Sequence, residues 1–215
     1  MEFDPILWEA LVESRAVQAT IAGAFVATGW LVNGWQNRRT DSRLRAARTR
    51  DAHKALFAEI QNALATFYGE GQAAADAEAL VERMRGDPDF VPFIPREHHD
   101  RVFVTLLPDI DVLPRQTIDA IVAFYSQVAA IESLAGDMRG DGFVLLRQDR
   151  RIDVYQDYVA MRVRAFTMGE YVLNLIAAYA DGGVPGAERI ARQAGAASVS
   201  SQASDRSGPE DPESG

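Results

Sequence analysis

AVQATIAGAFVATGWLVNGWQN, residues 16–37, is followed at once by RRTDSRLRAARTR, residues 38–50. The first stretch has 22 residues and no charge, and the second carries six arginines in 13 positions. As a helix rising about 1.5 Å per residue, the uncharged stretch would span about 33 Å, close to the ~30 Å hydrocarbon core of a bilayer. The reading that follows is a single membrane crossing. Val17, Ile21, Phe25, Val26, Leu31 and Val32 are its strong inserters, set against the polar Gln18 and Asn33. Trp30 and Trp35 fall toward the C-terminal end, at the depth where amphipathic rings prefer the headgroups, and Arg38 and Arg39 would hold that end at the interface. The competing reading is an alanine-rich core helix of a bundle, but core stretches of this length rarely lack every charge.

Charge is ordered along the whole chain of 215 residues. Residues 1–15 carry a net of −3, residues 38–54 a net of +5, residues 55–194 a net of −8 and residues 195–215 a net of −3. One basic residue precedes the uncharged stretch, and seven follow it up to Lys54. The positive-inside rule then puts the acidic leader outside and everything after Arg38 in the cytoplasm. An acidic rather than basic start also argues against a cleavable signal peptide. The preference for arginine over lysine points to a bacterial inner membrane. On a helix Ala19, Gly23 and Ala27 form a small-residue row that would let a second helix approach closely, although five alanines and three glycines in 22 positions supply such rows by composition alone.

Asp4–Pro5 is a sound helix start, and no proline recurs before Pro88, so one long helix or two collinear ones are expected from about residue 5 to 85. Leu56, Ile60 and Leu64 recur every fourth residue, Gly69 and Gly71 mark a bend, and Gly86-Asp87-Pro88 a stop. Residues 86–96, with three prolines, read as a hinge loop. A short helix is expected near 97–107, then a turn bracketed by Pro108 and Pro114. The next helix should start near Gln116 or Thr117 and run to about Leu134, its apolar face including Ile121, Tyr125, Val128 and Ile131. After a Gly/Asp loop, a last long helix is expected from 143 or 149 to Tyr179.

The expected fold class is therefore all-α: an N-terminal transmembrane helix continuing into a cytoplasmic antiparallel bundle of three or four helices. Its parts are a short acidic extracytoplasmic leader (1–15), the transmembrane helix (16–37), a basic juxtamembrane helix (38–54), the bundle (55–194) and a disordered acidic tail (195–215).

Chemistry-bearing motifs are sparse. With no cysteine there are no thiolate metal sites or cysteine nucleophiles, and Lys54, the only lysine, lies outside any Gly-rich loop. His98 and His99 follow Glu97, but adjacent helical side chains diverge by about 100°, and no His-x-x-x-His or Glu-x-x-His spacing occurs. They read as a polar helix start, not as metal ligands. Arg162, Arg164 and Glu170 in the last helix, with Asp119 and Glu132 in the one before, read as interhelical ion pairs. The formal charge of −9 excludes a general nucleic-acid coat.

Leu107-Pro-Asp-Ile-Asp-Val-Leu-Pro114 followed by Ile121-Val-Ala-Phe-Tyr125 resembles a turn-and-helix pattern of uncharacterised bacterial single-pass membrane-anchored helical proteins. The resemblance covers about 20 residues and implies a helical fold without bringing an active site. No catalytic, cofactor or metal residue is expected, and no small-molecule substrate is identified. The candidate sites are the membrane-interface set Trp30, Trp35, Arg38, Arg39, Arg43 and Arg45, and the helix-packing set Ala19, Gly23 and Ala27. The expected function is a non-enzymatic accessory or interaction protein, associating with the bilayer and with a membrane-protein partner or itself. The alternative is a membrane-anchored effector or signalling element that oligomerises through its transmembrane helix.

Overall fold

The computed structural model describes the backbone of residues 15–67 and 72–205, and the side chains of Trp30, Trp35 and residues 38–67 and 75–196. Most of these residues are helical, with no strand among them. In chain order they form α1 (Arg15–Phe67), α2 (Gln72–Gly86), α3 (Arg101–Leu106), a 3-10 segment (Leu107–Val112), α4 (Arg115–Met138), α5 (Asp141–Val144) and α6 (Gln148–Asp205). The chain divides into two compact units, one ending at Arg48 and the other beginning at Thr49.

In the first unit, every described side chain of α1 from Arg38 to Arg48 is exposed. Ser42 donates its hydroxyl to the Arg39 carbonyl at 2.9 Å, and the Arg39 guanidinium lies 5.1 Å from the centre of the Trp35 ring.

The second unit is a helical bundle. Leu56, Ile60 and Ala63 of α1 and Ile121 and Phe124 of α4 are wholly buried, and Val172 and Leu175 of α6 are nearly so. Each of these side chains apart from Ala63 contributes about 1.5–3 kcal/mol on removal from water, before conformational entropy is charged against it. Among the described residues α4 is the one helix long and apolar enough to cross a membrane by length and composition. In the bundle it is the central element, burying Ile121, Phe124, Tyr125, Val128 and Ile131 against the other helices.

Contact pairs fix the directions. Thr49 donates to the Val112 carbonyl at 2.9 Å, His53 Nε2 meets Thr117 Oγ1 at 2.9 Å, and Tyr125 donates its hydroxyl to Glu59 at 2.7 Å. The two sets of numbers rise together, so α1 and α4 run parallel. Gln127 of α4 donates to the Met161 carbonyl of α6 at 3.2 Å, and a Cβ at Gly169 of α6 would stand 3.0 Å from Phe124. Those numbers run oppositely, so α6 is antiparallel to α4, and its Tyr179 against His53 and Arg162 against Thr66 make it antiparallel to α1 as well. The bundle is thus mixed where an antiparallel one was expected. The physical reason is the return path: residues 87–114 carry the chain from the end of α2 back past Glu59 to Val112, so α4 starts beside His53 of α1 and follows its direction. That same Cβ at Gly169 would come within 2.5 Å of Leu64 Cδ2, so the missing side chain lets three helices meet.

Helix ends differ from expectation by a few residues, each for a local cause. Irregular backbone persists to Asp100, and α3 starts at Arg101, because the Glu59 carboxylate from α1 accepts the Val102 N–H at 2.6 Å and the Phe103 N–H at 3.1 Å. A remote carboxylate here takes the orphan donors that a local cap would satisfy, since Asp100 makes no side-chain cap bond. α4 starts at Arg115 behind Pro114 and continues to Met138, which is 2% exposed: packing of its last turn outweighs Gly136. Gly183, at φ 58°, breaks α6 shortly after Tyr179, where the last helix was expected to end, but helix resumes and runs to Asp205. Residues 195–205 of the expected tail lie in that helix, and 206–215 are outside the described residues.

Candidate functional site

Burial sets the direction of the pKa shift at two groups of the bundle. His53 is 4% exposed and its pKa is lowered because burial disfavours the imidazolium. Tyr125 is pushed far above the usual phenol range, first by burial and then by its hydrogen bond to Glu59 and that group's charge.

The densest polar group forms where the proline-rich return loop crosses α1 and α6. Pro92 and Ile94 are buried and pin the loop, while Phe93 between them is 88% exposed. The loop then delivers Glu97, His98 and His99. Arg162 of α6 donates to Glu97 Oε2 at 3.2 Å, to Tyr158 Oη at 2.6 Å and to the Thr66 carbonyl at 2.8 Å, and its guanidinium lies 5.1 Å from the Phe67 ring centre. His99 Nε2 is 3.2 Å from the same Glu97 oxygen, and its ring meets Phe67 edge-on at 5.0 Å. Partial burial pulls the Glu97 pKa upward, but the His99 hydrogen bond and the Arg162 charge outweigh it, and the net shift is downward.

His98 and His99 diverge. His98 is exposed and its Nδ1 lies 3.9 Å from Glu132 Oε1, beyond hydrogen-bond reach, whereas His99 is 7% exposed and turned to Glu97. Arg162 therefore pairs with a loop carboxylate, not with Glu132 of α4. That partner was hidden in the sequence because Glu97 and Arg162 stand 65 positions apart. His99 Nδ1 and Glu132 Oε1 are buried without a hydrogen-bond partner.

Two cavities flank this cluster. One, of about 510 Å³, is walled by Phe67, Val128 and Ile131 and edged by Arg96 and Arg139, with His99 and Glu132 in its lining. The second, of about 390 Å³, is walled by Leu80, Phe93, Tyr155 and Val159. Phe67, Pro95, Glu97 and Tyr158 line both. Among the described residues no group of three or more His, Asp or Glu side chains is placed to hold a metal ion.

Of the membrane-interface residues expected from the sequence, Trp30 is 83% and Trp35 62% exposed, and Arg38, Arg39, Arg43 and Arg45 are all exposed. Ala19, Gly23 and Ala27 lie on the helical backbone of α1, but their side chains are outside the described residues. Compared with protein-family models, curated proteins and solved structures, the chain matches none.

Proposed function

We propose that this chain is a membrane-anchored, non-enzymatic accessory protein of a bacterial inner membrane. Residues 16–37 cross the bilayer once with the N-terminus outside, and the bundle serves on the cytoplasmic side as an interaction module for a larger membrane assembly. The observation that carries this reading is the band at the end of the uncharged stretch: Trp30 and Trp35 exposed, Arg39 stacked over Trp35, and the following arginines exposed with them. Two bare indoles cost free energy in water, whereas at the headgroup level the rings and guanidiniums each find their preferred environment. Ala19, Gly23 and Ala27 would then offer a close-packing face to a partner helix or a second copy.

Ultracentrifugation of a cell lysate without detergent tests the anchor: the protein should sediment with membranes, and recovery in the supernatant would refute the proposal. Protease added to intact spheroplasts should reach only the leader; digestion of the bundle would invert the topology.

A further inference from the structure

We propose that the bundle pairs with a second copy of itself, each copy seating Phe93 in the smaller cavity of the other. Phe93 is 88% exposed, while Pro92 and Ile94 on either side of it are buried. The loop is thus pinned on both sides of the ring, which stands in water as a pre-positioned apolar anchor. Burying one such ring removes about 150–250 Å² from water.

The receiving surface lies beside it. Phe93 forms one edge of the cavity of about 390 Å³ whose other walls include Leu80 of α2 and Tyr155, Val159 and Val163 of α6, and Val163 is itself 42% exposed. A two-fold contact requires each copy to carry both halves of the interface, because residue i meets residue j while j meets i. Knob and hole adjoin on this patch, so a two-fold rotation can seat both rings at once. A different partner would have to bring a ring and a pocket in the same register; a second copy has them already. The charges at the edge agree with this. Asp76 is exposed in the cavity lining, and Arg96, three positions after Phe93, is exposed and makes no ion pair among the described residues. Facing copies can set Arg96 against Asp76 twice. Arg162, the cation of the lining, is already held by Glu97, Tyr158 and Thr66. Two rings with a matching area of wall make a small interface, of the reversible kind. The pairing uses neither the bilayer nor the row Ala19, Gly23 and Ala27, so it does not rest on the proposed anchor.

The chain has no cysteine, so introduced cysteines report alone. Full-length Asp76→Cys and Arg96→Cys proteins, carrying tags of different mass, are mixed in an excess of non-ionic micelles and oxidised with copper phenanthroline. They should form a heterodimer linked between positions 76 and 96. Asp119, exposed near the Thr117 end of α4, supplies the control: Asp119→Cys mixed with Arg96→Cys should not link. Adding Phe93→Ser to both partners should cut the 76–96 yield at least about ten-fold, because the anchor is gone. Phe93→Trp keeps a large ring and should retain the link. Since Phe93 is exposed, neither substitution touches the core, and an unchanged thermal melt checks that each variant is folded. Absence of the 76–96 link, equal linking of the control, or a link that survives Phe93→Ser would each overturn the proposal.

Discussion

One helix, α1, has two characters. From Arg38 to Arg48 every side chain is exposed, Leu44 included at 56%; from Ala52 onward Leu56, Ile60, Ala63 and Phe67 are buried at helical spacing. The backbone conformation is the same in both stretches, so hydrogen bonding within the helix does not distinguish them. Burial does: the second stretch is fixed by neighbours, while the first depends on its own propensity and on whatever surrounds it.

The strongest way to break this contrast is to truncate the same side chain on either side of Arg48. Leu56→Ala should destabilise the bundle by about 2–5 kcal/mol through lost burial and a residual cavity. Leu44→Ala should change stability by less than about 0.5 kcal/mol. Denaturant unfolding in detergent reads both, and equal losses would show that Leu44 is held in a core of its own.

A second contrast sits within α6. A Cβ added at Gly186 would stand 2.1 Å from the Ala178 carbonyl oxygen, a backbone atom that cannot swing aside, whereas nothing lies within 4 Å of one added at Gly182. Gly186→Ala should therefore cost about 1–3 kcal/mol. Gly182→Ala should be neutral or gain up to about 1 kcal/mol from helix propensity. If the two substitutions unfolded alike, the chain beyond Gly183 would not be held against the turn of Ala178.

Burial also explains which features the sequence reveals. Leu56, Ile60, Ile121, Val128, Val172 and Ile176 are each buried where a 3.6-residue period puts them, because one side of a helix must face its neighbours. Phe124, three residues after Ile121 and four before Val128, belongs to the same stripe, and Gly169 leaves room for its ring on the opposite helix. The parallel course of α1 and α4 was illegible for a different reason: it depends on Glu59 holding the start of α3, a contact across 43 positions with no local pattern. The same holds for Glu97, His99 and Arg162, whose cluster exists only after the return loop is laid down. The proposal for Trp30, Trp35 and the arginines needs no such contact, because the bilayer reading rests on composition along one helix.

A smaller effect separates the two stretches by pH. His53 lies in the packed part of α1 with its pKa lowered by burial, so the unfolded chain takes up a proton more readily than the folded one. The stability it supports is complete above the unfolded value near 6.5 and declines as pH falls through the window between the unfolded and the lower folded value. His53→Gln should flatten this part of the stability–pH curve. An unchanged slope would mean that another group titrates there.

The smallest expected effect on folding belongs to the arginines. Arg43, Arg45, Arg48 and Arg50 are exposed, so replacing all four with glutamine while keeping Arg38 and Arg39 should leave bundle stability within about 0.5 kcal/mol. Insertion should also survive, since the retained pair stands next to the uncharged stretch. What should change is association with anionic surfaces. Each basic side chain near a negative headgroup layer contributes roughly 1 kcal/mol, and helical geometry spreads these positions over more than one face, so only some act at once. Reconstituted in vesicles with and without anionic lipid, the parent should draw acidic lipid around itself, an enrichment that falls as salt rises; the variant should draw less. If the variant inserts, folds and recruits lipid or co-purifying partners as the parent does, these four arginines serve topology alone.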